Sequence, residues 1–122
     1  MRDIACTRGD DGTVTCSIPH THKHHSPTGF EIGYGGSGPS DLALNILAAA
    51  LPRQKGDPGV TLHDGSRVSE AAWDLHQPLK WNLIATMPRE GGTIAGVVIK
   101  AWIIAHRADT QTEESAEPLR ER

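Results

Sequence analysis

The sequence has little of several features that would assign it to a class at once. Only two cysteines occur in 122 residues, Cys6 and Cys16, too few for the multi-disulfide framework of small secreted domains. Positive charge is not in excess, since 12 Lys and Arg stand against 15 Asp and Glu, so nucleic acid is not expected as the main partner. No apolar run approaches the roughly 20 residues that span a bilayer, and residues 1–6 lack the apolar stretch of a signal peptide. We therefore expect a soluble, cytoplasmic protein with no membrane partner.

The chain is long enough for one compact core and too short for two. A single α+β domain is predicted over residues 1–106, because 37% of the residues are hydrophobic and a domain of roughly 100 residues buries most of its apolar surface. Residues 107–122 have almost nothing to bury and are predicted to form a disordered C-terminal tail.

Hydrophobic periodicity predicts a small, mainly antiparallel sheet packed by two principal helices. The predicted strands cover residues 12–18, 29–34, 60–63 and 80–87. We expect the first two to form a hairpin with a long, exposed tip. The first predicted helix runs from Pro39 to Leu51. A short second helix covers residues 70–76 and ends before Pro78, and a last helix begins after Thr93, which is predicted to cap it. The last helix should pack on the sheet through an apolar face. That face contains Ile94, Val97, Val98, Ala101, Trp102 and Ile104.

A glycine-rich loop leads into the first principal helix. The residues Gly33-Tyr-Gly-Gly-Ser-Gly38 fit G-x-G-x-x-G literally, but the chain is too short for both halves of a Rossmann fold, and Asp57 falls in a Pro/Gly turn. Unpaired N–H groups at a helix start still favour a phosphate or a carboxylate. The alternative is architectural, with glycines that permit positive φ and close packing.

The candidate ligand site combines this loop with basic residues from elsewhere. The loop contributes Tyr34, Gly35, Gly36, Ser37, Gly38 and Ser40. Basic residues can clamp a phosphate if the fold or a second subunit brings them to the loop. The candidates are Arg53, Arg67 and Arg89, with Lys55 and Lys80 as further basic residues outside the predicted helices. Their alternative role is ordinary solubilising charge.

A histidine-rich segment precedes the glycine loop. Imidazoles two residues apart on an extended chain share a face, so this segment can hold a transition metal or make a pH-sensitive contact. The metal candidates are His20, His22, His24 and His25. No cysteine or carboxylate accompanies them with zinc-site spacing, so we predict a solvated loop and keep the metal site and the pH-sensitive contact as alternatives.

Catalysis has little support in the sequence. No local motif pairs a nucleophile with a base, so we predict a binding protein without a cofactor and keep an enzyme only as an alternative. Trp73, Trp81 and Trp102 can stack on a base, but their spacing favours packing in the core.

One stretch of the chain resembles a known family. Residues 33–47, which begin Gly-Tyr-Gly-Gly-Ser-Gly-Pro and continue to Leu-Ala-Leu, are similar to the signature of short, uncharacterised proteins of bacteria, phages and plasmids. Residues 75–85, Pro88 and residues 99–102 are similar to later blocks of that family, so the resemblance covers about residues 28–104.

The resemblance implies a context rather than an activity. Small accessory proteins of mobile elements often inhibit host defence, and some, such as Thoeris anti-defence proteins, sequester nucleotide signals in oligomers. By this analogy we predict a homo-oligomer that holds a nucleotide at residues 35–40, in the host cytosol if a phage encodes it. The alternatives are an inhibitor that binds a host defence protein, a structural accessory domain, and a weak metal-dependent enzyme that uses the histidine-rich segment.

Overall fold

The computed structural model describes residues 1–107. Its elements in chain order are β1 (Ile4–Arg8), β2 (Val14–Cys16), α1 (Ser37–Ala50), β3 (Val60–Thr61), β4 (Arg67–Val68), α2 (Glu70–Leu79), a π-helical turn (Lys80–Ile84), β5 (Gly91–Ile94) and α3 (96–107). Apart from its first residue, the predicted tail lies outside the described residues.

The main sheet has three antiparallel strands with β1 in the centre. Strand β2 pairs with one edge of β1, where Cys6 faces Cys16, and β5 pairs with the other edge, where Ile4 faces Ile94. A second sheet consists of β3 and β4 alone. The central strand was not predicted. Its alternating pattern, which buries Ile4 and Cys6, lies in the segment that was interpreted only as lacking the apolar stretch of a signal peptide.

The predicted strand over residues 29–34 is wrong. Phe30 and Ile32 are buried as the alternation indicated, but this segment forms no ladder, and Gly33 N–H donates to the carbonyl of Ile84 at 3.1 Å. The predicted partner strand pairs with β1 instead. The apolar period therefore records burial against helices rather than pairing in a sheet.

Helix α1 is the central buried helix, as predicted. Leu42, Leu44, Ile46 and Leu47 are fully buried, and every residue from 38 to 47 is in the core. The helix ends at Ala50, before Pro52, because a residue preceding proline avoids the helical conformation.

Helix α2 continues past the residue that was expected to stop it. Ser69 caps it by accepting a hydrogen bond from Ala72 N–H, and Pro78 lies inside it. Proline has no N–H for the helical ladder, and the chain widens just afterwards, where Ala85 N–H donates to the carbonyl of Lys80. The predicted strand over residues 80–87 is therefore wrong, because the segment is a π-helical turn followed by a turn.

Helix α3 begins later and faces the core differently than predicted. Thr93 lies in β5 and does not cap the helix, and the Gly96 N–H at the helix start donates to the Asp3 carboxylate at 2.8 Å. The buried apolar side chains are Ile99 and Ile103, whereas Val97, Val98, Ala101 and Ile104 of the predicted face are exposed. The helix therefore turns a different side to the core from the one predicted. Its rotation about its own axis is fixed by its connection to β5 and by the hydrogen bond to Asp3, and not by which side has more apolar residues.

The fold is α+β, with a small antiparallel sheet and three helices that share one core. Helix α1 packs against both α2 and the π-helical turn. Over residues 1–107, none of the helices has the length and apolar character needed to cross a membrane.

Candidate functional site

The glycines of the loop before α1 serve two different purposes. Gly33 has φ = 84°, a conformation that residues with a side chain rarely adopt. Gly35, Gly36 and Gly38 are needed for space. A Cβ on Gly35 would lie 2.1 Å from the Trp81 ring, and a Cβ on Gly36 would lie 2.2 Å from the Tyr34 ring. The close packing named in the architectural alternative is therefore present, with a tryptophan that the sequence analysis had assigned elsewhere.

Two large aromatic side chains cover this loop and remain open to solvent. Tyr34 is 52% exposed and Trp81 is 57% exposed, so the prediction that Trp81 packs in the core is wrong. The π-helical turn changes the direction of the side chains after α2, so that Lys80 is buried while its neighbour Trp81 projects to the surface. Lys80 was one of the basic residues considered for a phosphate clamp, and Trp81 was considered for stacking on a base. Neither was placed beside the loop, because the segment was interpreted as a strand.

Lys80 places a positive charge beside the glycine loop. Its Nζ donates to the carbonyl of Gly35 at 3.2 Å and lies 4.3 Å from the centre of the Trp81 ring. Burial lowers the pKa of Lys80, because removing water disfavours the ammonium form. An ammonium has three donors, so Lys80 keeps donor capacity for an anion at the loop.

The start of α1 offers backbone donors and one exposed hydroxyl. The N-cap is Gly36, which has no side chain to cap the helix. Within residues 1–107, no protein acceptor lies on the N–H groups of Ser37 and Gly38. Ser37 is exposed, whereas the buried Ser40 hydroxyl donates to the carbonyl of Gly36 at 3.0 Å. Ser37 can therefore reach a ligand, and Ser40 is engaged within the helix.

The three candidate arginines lie in different places. Arg89 is beside the loop, with its Cα 3.7 Å from the position of a Cβ on Gly33. Arg53 follows the opposite end of α1, a helix of 14 residues that spans about 20 Å at 1.5 Å per residue. Arg67 donates to the carbonyl of Pro58, and the Arg53 side chain lies against Gly59 in the same region. Within one chain only Arg89 is near the loop.

An ion pair between Arg8 and Glu31, which the sequence did not indicate, holds the chain next to the glycine loop in place. Arg8 donates from Nη1 and Nη2 to the two carboxylate oxygens of Glu31 at 3.1 Å and 2.8 Å, and from Nε to the carbonyl of Arg89 at 2.9 Å. The Arg8 hydrogen bonds hold the pKa of Glu31 below its usual range. The backbone and Cβ of Glu31 in turn lie against Gly38. Strand β1 thereby fixes the two segments that flank the start of α1.

The histidine-rich segment is not the exposed, solvated tip that was predicted, because α1 binds it through a buried carboxylate. Asp41 is completely buried and accepts from the N–H groups of His24, His25 and Ser26, at 3.2, 2.7 and 3.1 Å. Its Oδ2 also lies 2.9 Å from Nε2 of His20. This role of Asp41 was not predicted from the sequence.

A second polar residue one turn further along α1 completes this anchor. The Asn45 side chain accepts from the N–H of His22 and donates to the carbonyl of His22, both at 2.8 Å. Two polar side chains four residues apart in the otherwise apolar stretch of residues 41–50 were the available sequence signal for this contact. Buried polar groups need hydrogen-bond partners, so the histidine-rich segment completes the core.

The imidazoles have separate partners rather than a common centre. His22 Nδ1 lies 2.8 Å from Ser66 Oγ, and His24 Nδ1 accepts from the N–H of His63 at 3.0 Å. His25 Nε2 lies 3.0 Å from Nε2 of His76. Among residues 1–107, no group of three or more His, Cys, Asp or Glu side chains has an arrangement that could hold a metal ion.

Burial keeps part of this cluster neutral. It lowers the pKa of His24 and of His25, and it lowers the pKa of His76 to about 4. The Trp73 ring is 4.7 Å from that of His76 and 5.1 Å from that of His24. Trp73 and Trp102 are both half-buried and pack against the core.

A separate concavity lies at the other end of α1. It has a volume of about 730 Å³ and contains none of the predicted ligand residues. Residues 1–4 and 17–19 form one wall, and α3 forms another through Lys100, Ile103 and Ile104. Its lining is mainly apolar, so it suits an apolar ligand group better than a phosphate.

Comparison with known proteins gives a partial match. The model of a family of unknown function, DUF6166, matches residues 3–58, which contain β1, β2, the histidine-rich segment, the glycine loop and α1. No curated protein and no solved structure matches the chain. The similarity to an uncharacterised family thus covers the first half of the candidate site, and Lys80, Trp81 and Arg89 lie outside the matched residues.

Proposed function

We propose that this protein binds a phosphate-bearing small molecule with an aromatic base, such as a nucleotide signal, and does not transform it. The observation that carries the proposal is the placement of Tyr34 and Trp81, which are about half exposed and lie directly against glycines at the start of α1. We call Tyr34, Ser37, Lys80, Trp81 and Arg89, with the backbone of residues 35–38, the glycine-loop surface.

Each part of this surface suits one part of a nucleotide. A base can stack on an aromatic face, an interaction worth about 1–3 kcal/mol per base. The phosphate can accept from the N–H groups of Ser37 and Gly38, where the helix dipole favours negative charge. Lys80 and Arg89 add positive charge beside that position.

The same proposal accounts for a role without catalysis. A protein that holds a nucleotide signal unchanged removes it from its receptors, which is the action we propose for an anti-defence protein in the cytosol of a phage or plasmid host. Arg53 and Arg67 lie too far from the loop to contact a ligand there within one chain. In a homo-oligomer, a second copy of the chain can bring its own Arg53 and Arg67 to the loop and complete the site.

Titration calorimetry with a panel of linear and cyclic nucleotides tests the proposal. We expect one binding isotherm per chain, and the bound nucleotide should be recovered intact by chromatography. Arg89→Gln should weaken binding about tenfold, the effect of losing roughly 1.4 kcal/mol of charge-assisted contact.

A matched control removes the same charge elsewhere. Arg53→Gln, at the far end of α1, should leave the affinity of a 1:1 site within one chain unchanged. Weakening by Arg53→Gln instead would indicate that a second subunit supplies this residue. Absence of heat with every nucleotide, in protein that retains its cooperative thermal transition, would overturn the proposal.

A second candidate function is binding to another protein, such as a host defence protein. The observation that favours it is an apolar stripe on α3, where Val97 is 76% exposed and Ile104 is 63% exposed. Light scattering of the isolated chain, with Ile104→Asp as the variant, separates self-association from a site kept for a partner. A monomer in both samples would leave the stripe for a heterologous partner, and dissociation by the variant would assign it to the homo-oligomer.

A further inference from the structure

The two cysteines of the chain face each other across β1 and β2. Cys6 and Cys16 are directly paired in the antiparallel register, and their Sγ atoms are 2.7 Å apart. Cys6 is buried, whereas Cys16 is partly open to solvent. Both thiols are free.

The position of the pair in the ladder favours a covalent link. Ser17 N–H donates to the carbonyl of Ala5, and Gly9 N–H donates to the carbonyl of Thr13. Hydrogen-bonded and non-hydrogen-bonded pairs alternate along antiparallel strands, so Cys6 and Cys16 occupy a non-hydrogen-bonded position. Their Cα atoms are therefore expected about 4.5 Å apart, within the range of about 4.4 to 6.8 Å that a disulfide spans.

We propose that Cys6 and Cys16 are a reversible covalent modification site, which forms an intrachain disulfide by exchange with a small disulfide oxidant such as oxidised glutathione. The site is already assembled in the reduced fold. Forming the bond shortens the sulfur separation from 2.7 Å to about 2.0 Å. Rotation of the two side chains can supply that change without a new strand register.

The exchange proceeds in two balanced steps. The pair first loses the Cys6 proton to water. Cys16 then passes its own proton to the Cys6 thiolate, and the Cys16 thiolate attacks one sulfur of oxidised glutathione, which releases one glutathione thiolate. The Cys6 sulfur then attacks the Cys16 sulfur of this mixed disulfide and releases the second glutathione, which takes the proton. The first glutathione thiolate takes up a proton from water, so the two cysteines lose two protons and two electrons in total, and one glutathione disulfide becomes two thiols.

The electrostatics of the pair fit a single shared negative charge. The hydrogen bond from Cys16 lowers the pKa of the Cys6 thiol, while burial opposes this shift. The hydrogen bond to Cys6 raises the pKa of Cys16, as does burial. The pair therefore favours one thiolate, on Cys6, and retains the second proton between the sulfurs, so that passing this proton from Cys16 to Cys6 places the thiolate on the partly exposed Cys16. Exchange needs one thiolate at a time.

The link also affects the cavity at the far end of α1. Residues 1–4, which precede Cys6, and residues 17–19, which follow Cys16, line the same wall of that cavity. A disulfide joins the two strands from which this wall extends, so the oxidised protein should hold the wall more firmly than the reduced protein does.

Equilibration of the full chain in buffers of reduced and oxidised glutathione tests the proposal. After alkylation, cleavage after Arg2, Arg8 and Lys23 gives peptides 3–8 and 9–23, each with one cysteine. The oxidised sample should contain these peptides joined by one disulfide, and both thiols should return after reduction. Cys16→Ser should give no joined pair.

The same buffers applied to the urea-unfolded chain show whether the fold builds the site. We expect the equilibrium constant for oxidation to be at least tenfold larger in the folded chain. By linkage, the oxidised fold should be stabilised by the same factor. Equal constants in both states, or oxidation that stops at glutathione adducts on the folded protein, would overturn the proposal.

Discussion

The His76 imidazole makes the stability of this protein depend on pH. It is 2% exposed, its Nδ1–H donates to the carbonyl of Trp73, and its Nε2 accepts from His25 and Gln77, at 3.0 and 3.3 Å. A proton on Nε2 would face two donors instead of meeting an acceptor. Burial lowers the pKa of His76 from 6.5 to about 4. The His76 imidazole is therefore neutral in the folded protein at neutral pH.

The direction and size of the effect follow from this shift. Between pH 6.5 and pH 4 the unfolded chain binds a proton at this residue and the folded chain does not, so acid favours unfolding. A shift of this size corresponds to about 3.4 kcal/mol in full, of which about 2 kcal/mol is lost between about pH 7.5 and pH 5. The lowered pKa values of His24 and His25 act in the same direction.

Urea unfolding followed by tryptophan fluorescence at these two pH values measures the effect. His76→Gln cannot titrate, so we expect it to lose less than half as much unfolding free energy as the wild type over this interval. His106→Gln, on α3, should retain most of the wild-type loss, because His76 is intact. An unchanged loss in His76→Gln, with unchanged m-values, would show that His76 does not cause the acid sensitivity.

Two further predictions concern α1 and its N-terminus. Asp41→Asn should destabilise the protein by about 3 kcal/mol at neutral pH in urea unfolding, because its amide would face donors where a buried carboxylate now accepts from three backbone N–H groups. Gly35→Ala should cost about 1 kcal/mol and shift tryptophan emission, since its Cβ displaces the exposed Trp81 ring. Gly38→Ala should cost about 2 kcal/mol or more, because its Cβ meets the backbone of Glu31 at 2.9 Å. Equal costs for the two alanine variants would contradict this reasoning.

The elements predicted correctly are those whose signals are local. Helix α1 has consecutive apolar residues, proline in its first turn and Pro52 beyond its end, and each of these acts within one turn of the chain. Its place in the core follows from the apolar residues on every side. The α+β class followed in the same way, from a few short β-branched segments beside a fully buried helix.

The wrong predictions concern segments whose structure depends on distant partners. An apolar period of two describes both a strand and a chain that lies on helices, and only the partner distinguishes them. Phe30 and Ile32 show this ambiguity. In residues 80–87, Pro78 was interpreted as a stop, but the helix absorbs it near its end and widens afterwards. Helix α2 also packs on α1, a contact between distant segments that no local rule could indicate.

The candidate site was predictable to the same extent. The loop and the helix start were found because glycines, serine and proline carry a local signal, and Arg89 was named without a reason for its position. Lys80 and Trp81 reach the loop from a point 45 residues further along the chain, through the π-helical turn. Their contribution could only come from the fold.

Helix α1 connects the two polar segments that the sequence analysis treated as independent. If the histidine-rich segment moved away, the Asp41 carboxylate would lose its partners and Asn45 would keep only its hydrogen bond to the Asp41 carbonyl, and each unpaired buried group costs about 1–3 kcal/mol. The glycine loop begins seven residues after Ser26, whose N–H also donates to Asp41. The Asp41 carboxylate on α1 thus holds the chain that leads from Ser26 into the glycine-loop surface. This surface lies at the start of the same helix. Substitution of Asp41 should consequently affect ligand affinity as well as stability, although Asp41 is completely buried and cannot touch the ligand.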